Sequence, residues 1–111
     1  MLLMRNENLI HALGKCINAC NYCADACLDE ENVKMMKDCI RTDRVCAEVC
    51  SALNQVLATG YEDVEGLIQY CISVCKACGD ECAKHEHEHC QACAKACKAC
   101  EEECKSFLVA A

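Results

Sequence analysis

Apolar positions recur along the chain in four stretches, at steps of three and four residues, which is the period of one face of an α-helix. The first stretch runs through Leu9, Leu13, Cys16, Cys20, Cys23 and Cys27, and the second through Cys39, Cys46, Cys50, Leu53 and Leu57. The third uses Val64, Leu67, Cys71, Cys75, Cys78 and Cys82; the fourth uses Cys90, Cys93, Cys97, Cys100 and Cys104, followed by Phe107 or Leu108. Between them lie the polar segments LDEEN after Cys27, ATGYED around Gly60 and AKHEHEH after Cys82, which read as helix stops. The pattern predicts helices over residues 7–28, 32–58, 62–84 and 87–107. Short connections between long amphipathic helices predict an all-α, antiparallel up-down-up-down four-helix bundle, one domain spanning residues 1–111, with a Cys-lined core.

This topology polarises the bundle. One end collects Cys27, Cys39, Cys82 and Cys90 beside Met35, Met36, His85, His87 and His89, and the other collects Leu9, Leu13, Leu53, Leu57, Val64, Leu67 and Phe107. His85 continues the stripe of Cys78 and Cys82, His87 precedes Cys90 by three, and Met35 precedes Cys39 by four, so these residues form a candidate metal entrance with His89 and Met36. His11 has no such setting and reads as surface. The second stripe has one gap, where Asp43 occupies the position between Cys39 and Cys46. Two readings stay open for it: turned to solvent near Arg44, or a carboxylate in the core. Beside the main stripes, Val45, Val49 and Val56 on the second helix and Ile68 and Ile72 on the third form a further apolar band that another subunit would cover.

Composition sharpens the picture at three points. Sixteen of the 111 residues are Cys, with four Gly, one Phe and no Pro. So many cysteines in a short chain ordinarily mean a secreted disulfide scaffold, but scaffolds of that kind are rich in loops and turns, and partners at i and i+4 on one helix face strain a disulfide. The start, MLLMRNENLIHALGK, has Arg5 and Glu7 among its apolar residues and lacks the apolar core and cleavage site of a secretory signal. No run is long enough to span a membrane. The expectation is a reduced, cytoplasmic protein. A net charge of −7 argues against nucleic acid as a partner, because phosphate binding needs clustered Lys and Arg.

Sixteen inward thiols suit a soft metal. Side chains at i and i+3 or i+4 have Cβ atoms about 5–6 Å apart, and a linear sulfur–metal–sulfur bridge spans about 4.6 Å if each bond is near 2.3 Å. Copper(I) is the soft ion that thiolates select and that accepts so few ligands. Charge points the same way. No Lys or Arg lies on the Cys stripes, so uncompensated negative charge in the core carries a heavy desolvation cost. A zinc ion with four thiolates leaves each site at −2, whereas one copper(I) per thiolate merely replaces a proton. Ligand counting puts the capacity near about one copper per Cys. All sixteen are therefore candidate ligands. A zinc buffer or a thiol redox or metal-cluster protein remains the alternative, since CxxxCxxC and CxxC spacings recur here. These spacings also follow from the helical period alone, and no base, nucleophile and oxyanion arrangement for an enzyme is present.

The segments C16-INA-C20-NY-C23-ADA-C27, C71-ISV-C75-KA-C78-GDE-C82 and C90-QA-C93-AKA-C97-KA-C100-EEE-C104 resemble the cytosolic copper storage proteins, a family of bacterial Cys-rich four-helix bundles. The resemblance covers essentially the whole chain. It implies non-catalytic storage of many copper(I) ions on the thiols, a histidine entrance, and a homotetramer of bundles.

Overall fold

The structure, a computed structural model, describes residues 2–110, with side chains from Asn6 onward. Four helices form: α1 over Leu2–Cys27, α2 over Lys37–Thr59, α3 over Glu65–Ala83 and α4 over Glu88–Ala110, with a short 3₁₀ turn at Val33–Met36. No strand occurs among the described residues. Helix α1 packs against α2 and α4, and α3 packs against the same two, so the antiparallel helices take the corners of a square in chain order. The bundle measures 48 × 20 × 20 Å. Among the described residues no helix is long and apolar enough to cross a membrane.

Helix ends follow local chemistry. Asp38, Glu65 and Glu88 place acidic side chains in the first turns of α2, α3 and α4, where the helix dipole favours them. Helix α2 stops at Gly60, which is left-handed at φ 78° and donates its N–H to the Leu57 carbonyl at 3.1 Å. A side chain there would meet the left-handed penalty of about 1–2 kcal/mol. Gly60→Ala is accordingly expected to lower the thermal midpoint of the metal-free protein by several degrees, read by circular dichroism. At Gly79 an added Cβ would sit 3.4 Å from the Cys97 Cβ and 3.6 Å from the Ala94 carbonyl oxygen, so this face of α3 lies directly on α4.

The core is a column of sulfur closed at one end by aliphatic residues. All sixteen cysteines are free and buried. Leu9, Leu13, Leu53, Leu57, Val64 and Ile68 fill the closed end, with Phe107 and Leu108 packed against them. Two details differ from the expected pattern. Ile68, three before Cys71, is fully buried, while Leu67, four before it, only borders the core; Ile68 therefore belongs to the plug and not to the outer band. On the outer band Val45 is exposed, and Val49, Val56 and Ile72 are half-buried. His11 is exposed, as expected.

Candidate metal centre

Each helix contributes one rank of thiols, and the ranks interlock. Cys16 on α1 lies 3.7 Å from Cys46 on α2 and 3.8 Å from Cys97 on α4, measured between sulfurs. Cys46 and Cys50 both approach Cys75 on α3 to 3.7 Å, and Cys50 reaches Cys71 at the same distance. Cys20 stands 3.7 Å from Cys93, 3.8 Å from Cys97 and 3.9 Å from Cys78. Toward the closed end Cys100 groups with Cys50, Cys71 and Cys75, and Cys104 adjoins Cys71 and Cys100. Toward the open end Cys23 is 3.9 Å from each of Cys27, Cys39 and Cys90, and Cys39 is 3.4 Å from Cys82. Every thiol thus has neighbours on its own helix or an adjacent one, and the column has no break in sulfur.

These spacings match metal–thiolate geometry. With bonds near 2.3 Å, sulfurs around one ion stand about 4.0 Å apart when three bind and about 4.6 Å when two do. Small rotations about the Cys side chains turn one arrangement into the other. Hydrogen bonding to neighbouring thiols, together with burial, holds Cys20, Cys50, Cys75 and Cys97 above the usual thiol value, so these stay protonated without metal. The same hydrogen bonds draw their partners Cys16, Cys71 and Cys78 below it, and the thiols that keep their protons pack as small hydrophobes.

Asp43 is fully buried in the gap of the α2 stripe, which resolves its two readings in favour of the core. Its Oδ1 accepts hydrogen bonds from Cys78, Cys93 and Cys82 at 3.1, 3.2 and 3.4 Å, and Cys39 approaches Oδ2 at 3.9 Å. Burial first, then the neighbouring Cys93 and Cys78, push its carboxyl up to about 12, so it is a neutral acid at ordinary pH. The spacing carried the signal: Cys39, Asp43, Cys46 and Cys50 step by four, three and four like any other stripe here.

The open end departs from expectation in register. Met35 is 67% exposed, whereas Met36 is 2% exposed and belongs to the core cluster. The cause is the 3₁₀ turn, which advances three residues per turn and so aligns Met36, not Met35, with Cys39. Among the histidines, His85 turns back to Glu81 at 3.2 Å and His87 to Glu30 at 3.5 Å, and neither meets a thiol. His89 does. Its Nδ1 lies 3.4 Å from the Cys23 sulfur, 3.5 Å from Cys90 and 4.0 Å from Cys27, while its Nε2 is 2.8 Å from a Glu30 carboxylate oxygen. The rings of His87 and His89 stack with centroids 5.4 Å apart. Burial disfavours charge on His89, but its hydrogen bonds to Cys23 and Glu30 outweigh this and raise its pKa above the ordinary histidine value. Hydrogen bonds from Cys39 and Cys82, with His89 adding to them, pull the Cys23 thiol down to about 5. A shallow pocket of about 290 Å³ lined by Glu30, Met35, Met36, His85 and His87 lies on the outer side of Glu30 and His87, with none of the thiols in its wall. Glu30 escaped the sequence reading because a glutamate in an acidic connection carries no signal of its own.

The family model of the copper storage proteins matches residues 4–109 of this chain. The chain belongs to the copper storage protein family. It is 43% identical over 87 residues to the cysteine-rich protein YhjQ of Bacillus subtilis, covering 78% of this chain and 81% of that protein. Among solved structures it is similar to the copper(I)-bound copper storage protein BsCsp3, with a TM-score of 0.89 and 42% identity over 93% of this chain and 97% of the other. It is also similar to a cytosolic copper storage protein from Streptomyces lividans carrying five coppers, with a TM-score of 0.92 and 45% identity over 97% and 95% of the two chains. Copper storage family membership accords with the continuous column of sulfur.

Proposed function

We infer that this chain stores copper(I) in its interior, with all sixteen cysteines as ligands and no catalytic step. The observation that carries this reading is the unbroken chain of sulfur contacts from Cys27 at the open end to Cys104 near the plug. Each copper(I) that enters replaces about one thiol proton, so the filled core stays close to neutral. Neutrality matters because the column holds no cation to balance excess thiolate, and an unpaired buried charge is expensive. His89, with Met36 behind it and His85, His87 and Met35 outside, forms the entrance. The domain is one copper-binding bundle over residues 1–111.

Location and assembly follow from the same reading. A reduced interior is compatible with the cytoplasm, and the Streptomyces relative is described as cytosolic. The half-buried Val49, Val56 and Ile72, with Val45 exposed beside them, leave an apolar band suited to a second bundle, and a homotetramer is the assembly proposed.

Diffraction from the copper-loaded protein at the copper absorption edge tests the ligand assignment. Anomalous peaks strung along the bundle axis, each between cysteine sulfurs, are expected. Peaks confined to His85, His87 and the protein surface would overturn it.

A further inference from the structure

The open end is built differently from the rest of the column. Cys23, Cys27 and Cys90 converge there with the Nδ1 of His89, three sulfurs and one nitrogen in one small cluster. A tetrahedral ion with metal–sulfur bonds near 2.3 Å and a metal–nitrogen bond near 2.0–2.1 Å requires sulfur–sulfur edges of about 3.75 Å and nitrogen–sulfur edges of about 3.5 Å. The observed edges are 3.9 Å for Cys23 to Cys27 and to Cys90, and 3.4, 3.5 and 4.0 Å from the imidazole nitrogen. Cys27 and Cys90 also belong, with Cys23 and Cys39, to one group whose sulfurs all lie within 4.8 Å, so His89 and Cys39 are the two choices for the fourth ligand there.

The surroundings favour a divalent ion there and nowhere else in the column. His89 gives its Nε2–H to Glu30 at 2.8 Å, which turns the Nδ1 lone pair toward the three thiols. A carboxylate behind a ligating imidazole is the usual support of a zinc-bound histidine. Three thiolates and one neutral nitrogen leave a divalent site at −1, whereas the all-sulfur groups deeper in the core leave −2 with no cation nearby. The partly open position beside the stacked His87 ring reduces the desolvation cost further.

We propose that the mouth of the bundle is a tetrahedral site for one divalent ion of the zinc class, held by Cys23, Cys27, Cys90 and the Nδ1 of His89 with Glu30 supporting the imidazole. Whichever of the three thiols still carry protons release them to solvent as the ion binds. An ion seated there occupies the outermost thiols, so copper(I) that enters at this end must displace it to reach the deeper ones. This goes beyond copper storage, and the site stands on its own geometry if storage fails.

Cobalt(II) is the probe, titrated anaerobically into the reduced, metal-free, full-length protein. One ion per chain is expected, with the visible bands of tetrahedral cobalt and a sulfur-to-cobalt charge-transfer band, and zinc(II) should displace it one for one. His89→Ala should weaken binding at least about tenfold and alter the cobalt spectrum, and Glu30→Gln should weaken it about tenfold with helicity unchanged. One equivalent of zinc should slow copper(I) uptake by wild type at least about tenfold, and His89→Ala should lose that inhibition. No tetrahedral cobalt signal, or several ions per chain with binding unchanged in His89→Ala, would overturn the proposal. Copper(I) capacity, counted on the same preparation, reads the storage function separately.

Discussion

Replacing Asp43 with Asn is expected to stabilise the metal-free bundle at pH 7 by up to about 4 kcal/mol and to flatten its stability between about pH 5 and 7.5. In the folded protein the carboxyl is held up to about 12 by burial and by Cys93 and Cys78, while in the unfolded chain it titrates near its ordinary value. A raised folded pKa contributes stability that is complete below the unfolded value of about 3.9 and is lost as pH climbs toward the folded one, at about 1.4 kcal/mol per pH unit. By pH 7 roughly three units have been crossed. Asn has no proton to retain, so the loss disappears. Its amide oxygen can accept from Cys78, Cys82 and Cys93 as Oδ1 does, and its NH₂ faces the Cys39 sulfur in place of the acid proton. Urea unfolding of both proteins across this pH range under reducing conditions checks the result. Parallel pH profiles would show that the wild-type carboxyl is ionised in the folded state.

Leu53→Ala is expected to cost the metal-free protein about 3 kcal/mol while leaving copper(I) capacity unchanged. Leu53 is fully buried among Leu9, Leu13, Leu57 and Ile68, and emptying such a site loses the transferred apolar area and leaves a cavity. It carries no ligand atom. Cys16→Ala removes far less volume, so its stability cost is smaller, but its sulfur bridges the ranks of Cys46 and Cys97, and capacity should fall by about one copper. Urea unfolding and copper counting on the two variants separate the plug, which carries stability, from the column, which carries cargo. Because copper binds the folded state and Leu53 carries no ligand atom, loading should stabilise Leu53→Ala and wild type alike and leave the difference of about 3 kcal/mol between them.

The bundle and its sulfur column were legible because cysteine served as both hydrophobic marker and chemical marker. Steps of three and four between cysteines place every thiol on one face, and in the structure all sixteen are buried. Register at the ends was less legible. The 3₁₀ turn at Val33–Met36 exchanges Met35 for Met36, and periodicity alone cannot announce a tighter turn. Ile68 and Leu67 both sit at helical spacings from Cys71, so only packing against α2 and α4 decides between them. His89 shows a different limit. Counting on from the third stripe favoured His85 and counting back from the fourth favoured His87, but His89 reaches sideways to α1 and is held by Glu30 from a connection distant in sequence. Contacts across elements leave no period behind. Asp43 illustrates the converse, since its place in the stripe was plain while its charge state depended on the thiols around it.

An anaerobic copper(I) titration of the fully reduced, metal-free protein against a coloured chelator tests the storage function most directly, because it counts ions per chain. A breakpoint above about ten, with the chelator left empty until then, is the predicted result for a polynuclear thiolate store. A breakpoint at one or two ions would contradict it.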